Sequence, residues 1–159
     1  MNKHVGTYNL ESFKCHFFDG VELGHGIIST MEHGNQGCYI EGYNLAKQHN
    51  LKFVFGAEAY WVKDRKEEYA EIDIKTGNPK LNKDSSVKTS KDKTNGHIIL
   101  LAKNENGRRV INRILSTANE DGYYFKPRVD LELLLSLPSN DVIITTACVA
   151  YWQYEDIDN

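Results

Sequence analysis

The chain has 159 residues, with 19 Lys+Arg against 22 Asp+Glu for a net charge of −3 and a pI of about 6.1. Hydrophobic residues make up 40% and aromatics 11%, enough for a core, so wholesale disorder is excluded. The near-neutral balance argues against a basic protein that coats DNA.

Cys15, Cys38 and Cys148 are odd in number, widely spaced and form no CxxC pair, which suits a reducing compartment. Met1-Asn2-Lys3-His4 leads into polar residues rather than a signal-peptide core. Apolar runs such as Val142-Ile143-Ile144 fall far short of a bilayer span. The expectation is a cytoplasmic protein of one domain, residues 1–159, with no membrane partner.

Taken in order, Gly26–Thr30 reads as a short buried strand, being β-branched and too short for a helix. Tyr39, Tyr43 and Ala46 then follow helical spacing, with Asn50 as the stop. Leu51–Phe55 is the next strand, interrupted by Gly56 before Ala59–Val62. Ile98–Leu101 is a third strand. Asn104 is placed to cap a helix whose face carries Val110, Ile111, Ile114, Leu115 and Ala118, and Gly122 ends it. Asp130 is placed to cap a short helix from Leu131 to Leu137, closed by Pro138, and Val142–Thr146 is the last strand. Strands alternating with helices predict an α/β protein with a mainly parallel sheet or barrel.

One stretch breaks the rhythm. Lys75–Lys93 holds six lysines and two aspartates, a local charge of +4, with only Leu81 and Val87 clearly apolar. It reads as part of a long mobile loop within residues 63–96. A contact with nucleic-acid phosphates is the alternative, through Lys83, Lys88, Lys91 and Lys93 together with Arg128.

In parallel α/β folds functional groups collect beyond the C-terminal ends of strands. Glu32-His33, Glu58 and Cys148 each follow a strand in this way, and imidazole, carboxylate and thiolate are common ligands of zinc and related metals. Individually each has a bland reading: a surface or satisfied core histidine, a solvated acid, a small buried cysteine. Their shared position after strands raises the metal reading.

The succession Thr30-Met31-Glu32-His33-Gly34-Asn35, Gly56-Ala57-Glu58-Ala59-Tyr60, His97–Asn104, Gly122–Asp130 and Thr146-Ala147-Cys148-Val149-Ala150 resembles the PHP domain (polymerase and histidinol phosphatase superfamily), in the form found at the N-terminus of the bacterial DNA polymerase III α subunit. The resemblance implies a TIM-like (βα) barrel of parallel strands with a cluster of divalent metals (Zn, Mn or Mg) at one mouth; the few strands and the lysine-rich stretch make the expected fold a partial barrel with a long charged loop insertion. It also implies phosphoester hydrolysis, in polymerases as a 3′–5′ exonuclease. By position it makes His33, Glu58, His97 and Cys148 ligands, with His4, Asp19 and Glu32 as further candidates.

The departures are specific. The opening His-x-His reads His4-Val5-Gly6, so one ligand side chain is missing. Glu32 is one methylene longer than the expected Asp, and the last Asp-x-His motif does not occur before Asn159. His97 precedes its strand, so a parallel neighbour would carry it to the end opposite Glu58, and the resemblance alone makes it a ligand.

Three functions follow as expectations. The first is the PHP portion of a bacterial or phage replicase with a degenerate metal site, working with DNA and a polymerase body or replisome proteins. The second is a non-catalytic interaction module. The third is a stand-alone phosphoesterase for small metabolites. Too few strands to close a barrel, and a chain read as incomplete at its C-terminal end, lead us to expect association with a partner or a second copy.

Overall fold

The computed structural model describes residues 17–91, 93 and 95–147. Residues 17–22 are helical (α1). They are followed by β1 (Ile27–Thr30), α2 (Tyr39–Gln48), β2 (Lys52–Trp61), β3 (Tyr69–Ala70), β4 (Thr89–Ser90) and β5 (Gly96–Ala102). The remaining elements are α3 (Glu105–Glu120), β6 (Tyr123–Tyr124), β7 (Lys126–Val129), α4 (Leu131–Leu135) and β8 (Val142–Thr146).

The chain is α/β, but its sheet is mixed rather than mainly parallel. β1 and β7 pair in parallel along one edge of β2, and β5 pairs antiparallel along the other, with β8 antiparallel to β5. The reason lies between β2 and β5. A parallel return needs a crossover, usually a helix, and residues 62–95 contain none among those described. The chain leaves and re-enters the sheet at the same end, so β5 must run backwards.

β2 is continuous through Gly56, against the expected interruption. Glycine is needed there because an added Cβ would run into Met31 Sδ and come within 2.8 Å of the Leu100 carbonyl oxygen.

Strand alternation divides β2 into two faces. Phe55, Ala57 and Ala59 join Ile98 and Leu100 of β5 in the main core, beneath Ile111, Ile114, Leu115 and Ala118 of α3. The two small alanines let the helix approach closely. Asn104 caps α3 by accepting from the Gly107 N–H at 2.9 Å, and Asp130 caps α4 by accepting from Leu133 at 3.2 Å. Both caps stand where the sequence put them. The helix after Asp130 ends at Leu135, a little short of Leu137.

The lysine-rich stretch is laid out as a two-stranded ribbon rather than an irregular loop. Tyr69 pairs with Ser90 and Ala70 with Thr89, and isolated bridges join Ile72 to Pro79 and Leu81 to Val87. Its side chains are nearly all exposed, as the scarcity of core residues requires. Composition does not report such backbone pairing.

At the foot of the ribbon Arg65 is buried. Its guanidinium donates to Asp130 at 2.7 Å, Glu132 at 2.8 Å and Asp121 at 3.0 Å, tying the end of β2 to the ends of α3 and α4. Burial works against its charge, but hydrogen bonds to Glu132, Asp121 and Asp130 outweigh this and raise its pKa. The hydrogen bond from Arg65 in turn holds the Asp121 carboxyl below its usual range.

A carboxyl lowered in the folded state contributes stability above its unfolded pKa of about 3.9, and loses it as pH falls through the lower folded value. Asp121→Asn is therefore expected to flatten the acid limb of stability. Urea unfolding of both proteins between about pH 2 and 5 checks this: the two curves converge at the acid end and separate above it.

Candidate metal centre

His33 lies just past β1, bridged in parallel to Glu58 of β2. The Glu58 N–H donates to the Glu32 carbonyl at 3.0 Å, and the Gly34 N–H donates to the Glu58 carbonyl at 2.8 Å. On the other side of β2, Tyr60 pairs with His97 and Glu58 with Ile99. Directly paired residues share a sheet face, so His33, Glu58, Tyr60 and His97 all project from the face opposite α3.

The antiparallel direction of β5 is what brings His97 there. Its first residues lie beside the C-terminal half of β2, which removes the objection that a residue preceding its strand belongs to the other end.

The side chains meet closely. His97 Nδ1 is 2.9 Å from Glu58 Oε1, and His33 Nδ1 is 3.4 Å from Glu58 Oε2. One ligand atom from each of the three residues lies within 4.8 Å of the others. The side chains of His33, Glu58 and His97 retain 28%, 14% and 19% exposure, so the cluster is half-sunk but open. Buried His33 Nδ1 has no aligned hydrogen-bond partner among the described residues.

Tyr60 forms the floor. Its ring stacks on His33 at 6.0 Å and 19°, and meets His97 edge-on at 5.3 Å. Lys126 Nζ sits 4.3 Å from the centre of the Tyr60 ring. Burial, with Glu58 adding, pushes the Tyr60 phenol up and keeps it protonated. Burial pulls His97 down against the attraction of Glu58, which favours the neutral imidazole that binds metals.

Gly34 makes the tight approach of the His33 loop feasible. Its φ is +67°, and a Cβ there would lie 2.9 Å from both Pro127 and the Tyr60 ring. Asn35 secures the same loop by donating to the His33 carbonyl at 3.0 Å and accepting from Gly37 at 2.9 Å.

A profile of the PHP domain matches residues 18–150. The chain belongs to the PHP domain family. It is 31% identical over 128 residues to the DNA polymerase III subunit alpha of Aquifex aeolicus (strain VF5), covering 80% of this chain and 10% of that protein. The protein of the same name from Borreliella burgdorferi is 31% identical over 122 residues, with 77% and 9% covered. That of Chlamydia trachomatis serovar D is 30% identical over 139 residues, with 87% and 10% covered. The chain thus spans about a tenth of the length of these relatives.

PHP domains are generally metal-dependent, and the donor set here suits such an ion: two imidazoles, one carboxylate, and a buried ring nitrogen lacking an aligned partner. Two further expected ligands of this PHP chain, Glu32 and Asp19, are placed differently. The Glu32 carboxylate is buried and accepts from the Cys38 N–H at 2.8 Å, holding the start of α2. Glu32 is thus engaged by the start of α2 and does not belong to the cluster of His33, Glu58 and His97. Asp19 is exposed on α1 and lines a cavity of about 470 Å³ with Met31, Glu32 and Cys38. It is not part of the three-residue cluster. His4 and Cys148 lie outside the described residues.

The basic residues named for DNA also divide. Arg128 is buried and donates to the carbonyls of Gly122 at 2.9 Å and Arg65 at 2.7 Å, so it clamps backbone instead of facing solvent. Lys88 pairs with Glu71 at 2.9 Å, and Lys91 donates to the Arg65 carbonyl at 3.2 Å. Lys83 is exposed on the ribbon, and Lys93 lies over the Phe125 ring.

Sequence reasoning missed Tyr60 and Lys126. For Tyr60 the signal was present: it stands two residues from Glu58 on one strand, hence on the same face. Among the described residues, no helix is long and apolar enough to cross a membrane.

Proposed function

We propose that this chain is the metal-binding PHP module of a DNA polymerase III α-like replicase, acting in the cytoplasm beside a polymerase body and DNA. The chemistry such a site serves is phosphodiester hydrolysis at a DNA 3′ end, and by this chain alone it gives no substantial turnover. The observation that carries the reading is the convergence of His33, Glu58 and His97 on one sheet face around an unsatisfied imidazole nitrogen.

His33, Glu58 and His97 would hold the ion, with Cys148 and His4 as further donors. Thr146 pairs with Ile98, the neighbour of His97, and Cys148 follows two residues later in the sequence. A bound divalent ion supplies Lewis acidity and a water of lowered pKa. The chain's own groups do the rest. Glu58 fixes the His97 imidazole, Tyr60 and Gly34 keep the His33 ring in place, and the Lys126 ammonium attracts an incoming phosphate.

Low turnover follows from Gly6, which has no side chain where the family has an imidazole. Each missing ligand leaves a cation under-coordinated. We further read the mixed sheet as a segment of a TIM-like barrel. The β8 edge, with Ile143 and Ile144 exposed, then faces the polymerase body or a second copy.

The test is nucleotide release from 3′-labelled single-stranded DNA with Mn²⁺ or Zn²⁺, using wild type and a His33→Ala, Glu58→Ala double variant. Rates from the wild type close to those of the double variant are expected. Robust turnover abolished in the double variant would overturn the degenerate part of this reading and make the chain a competent hydrolase. Robust turnover unaffected by it would overturn the site.

A further inference from the structure

We propose that Phe125, at the tip of the β6–β7 hairpin, is a base-stacking platform for single-stranded DNA at the rim of the metal centre. The proposal rests on reading the chain as a DNA-acting PHP module.

The hairpin is very tight. Tyr123 pairs with Pro127 and Tyr124 with Lys126, leaving Phe125 alone at the turn. Its φ is +60°, a conformation that glycine or asparagine takes more readily than a bulky aromatic residue. The ring is 66% exposed and belongs to neither hydrophobic cluster, so core packing does not offset that strain. Strain of this kind, without a stabilising return, is found at working sites.

The surroundings select the ligand. Lys93 Nζ lies 4.8 Å from the Phe125 ring centre, and the Tyr124 ring meets Phe125 edge-on at 4.8 Å. Residues 123–129 contain no acid and one further cation, Lys126, besides the buried Arg128. An exposed aromatic ring flanked by ammonium groups matches a polyanion with flat bases, and stacking of this kind tolerates any base sequence. An apolar protein partner has no use for the two lysines.

The platform is also continuous with the metal centre. Lys126 follows Phe125 and covers the Tyr60 ring, which itself stacks on His33. Pro127 packs where a Gly34 side chain would stand. A strand whose base rests on Phe125 is thereby directed along Lys126 toward the imidazoles.

The experiment measures binding of a labelled oligothymidylate and of an abasic strand of the same length, at low salt in the presence of EDTA. The proteins are wild type, Phe125→Ala and Phe125→Trp, with circular dichroism as the folding check. Phe125→Ala is expected to weaken binding of the thymidylate by about fivefold or more, while leaving binding of the abasic strand unchanged. Phe125→Trp is expected to keep the affinity, and its added emission to be quenched by the thymidylate and not by the abasic strand. Equal affinities of wild type and Phe125→Ala for the thymidylate would overturn the proposal. So would equal losses for the two strands, or no binding by wild type. Because EDTA removes metal, failure here is separable from failure of the metal centre, whose own check is titration with Zn²⁺ or Mn²⁺ in the absence of DNA.

Discussion

Arg65→Ala is expected to lower the unfolding free energy by about 3–5 kcal/mol, the usual cost of removing one partner from a buried ion pair. The Arg65 and Asp130 side chains retain 3% and 5% exposure, so Asp130 would be left charged in the interior without its partner. The damage spreads because Asp130 also receives the Arg65 backbone N–H at 3.1 Å and caps α4. Asp121 and Glu132 lose a donor as well. Pairing Arg65→Met with Asp130→Asn removes the stranded charge and keeps a capping side chain, so the double variant should recover part of the loss. Urea unfolding of the three proteins provides the measurement. A cost below about 1 kcal/mol for Arg65→Ala, the range of surface ion pairs, would show that the network does not hold these elements together.

Loss of metal affinity is the second large effect expected. Outer-shell changes at metal sites typically cost about 10–100-fold in affinity, and removal of a direct ligand should reach the upper end. Glu58→Gln keeps the shape of the side chain but removes the charge set between the two imidazoles. It is expected to weaken Zn²⁺ or Mn²⁺ binding by about a hundredfold or more, read by titration calorimetry. His33→Ala should do the same, while Glu32→Gln should leave affinity nearly unchanged, because Glu32 bonds to the Cys38 N–H and is not part of the cluster.

The sign of the pH dependence follows from proton competition. A metal needs neutral imidazole, so affinity should fall as pH drops through the histidine range, near about 6.5 in model peptides. For His97 the loss should come below that value, since burial lowers its pKa. Equal affinities for wild type and Glu58→Gln across this range would remove Glu58 from the site.

The elements with a helical or strand period were readable from the residues. Asn104 and Asp130 announced their helices through side chains that accept from the first turn. The face of α3 follows from the spacing of Ile111, Ile114, Leu115 and Ala118. Strand direction was harder to read, because side-chain alternation is the same for either orientation. The one available clue was the helix-free, lysine-rich stretch between β2 and β5, which lacks the crossover that a parallel partner requires.

That clue bears directly on the site. Read as parallel, β5 sets His97 at the wrong end; read as antiparallel, it pairs His97 with Tyr60 and delivers it to Glu58. Glu32 is a different case. It neighbours His33 in sequence and was grouped with it, while its carboxylate is taken up by the Cys38 N–H. Arg128 was grouped with exposed lysines on charge alone, and charge does not report that Gly122 and Arg65 present buried carbonyls to it. The β6 and β7 strands carried no signal of their own, being two and four residues long.

The central claim is that His33, Glu58 and His97 form a metal centre. Anomalous diffraction from crystals of this chain grown with Zn²⁺ or Mn²⁺ tests it most directly. The account predicts an anomalous peak on the sheet face opposite α3, within about 2.0–2.2 Å of a nitrogen from His33 or His97 and an oxygen from Glu58. No peak there in crystals that hold the metal elsewhere, with Glu58 still bonded to His97, would contradict it.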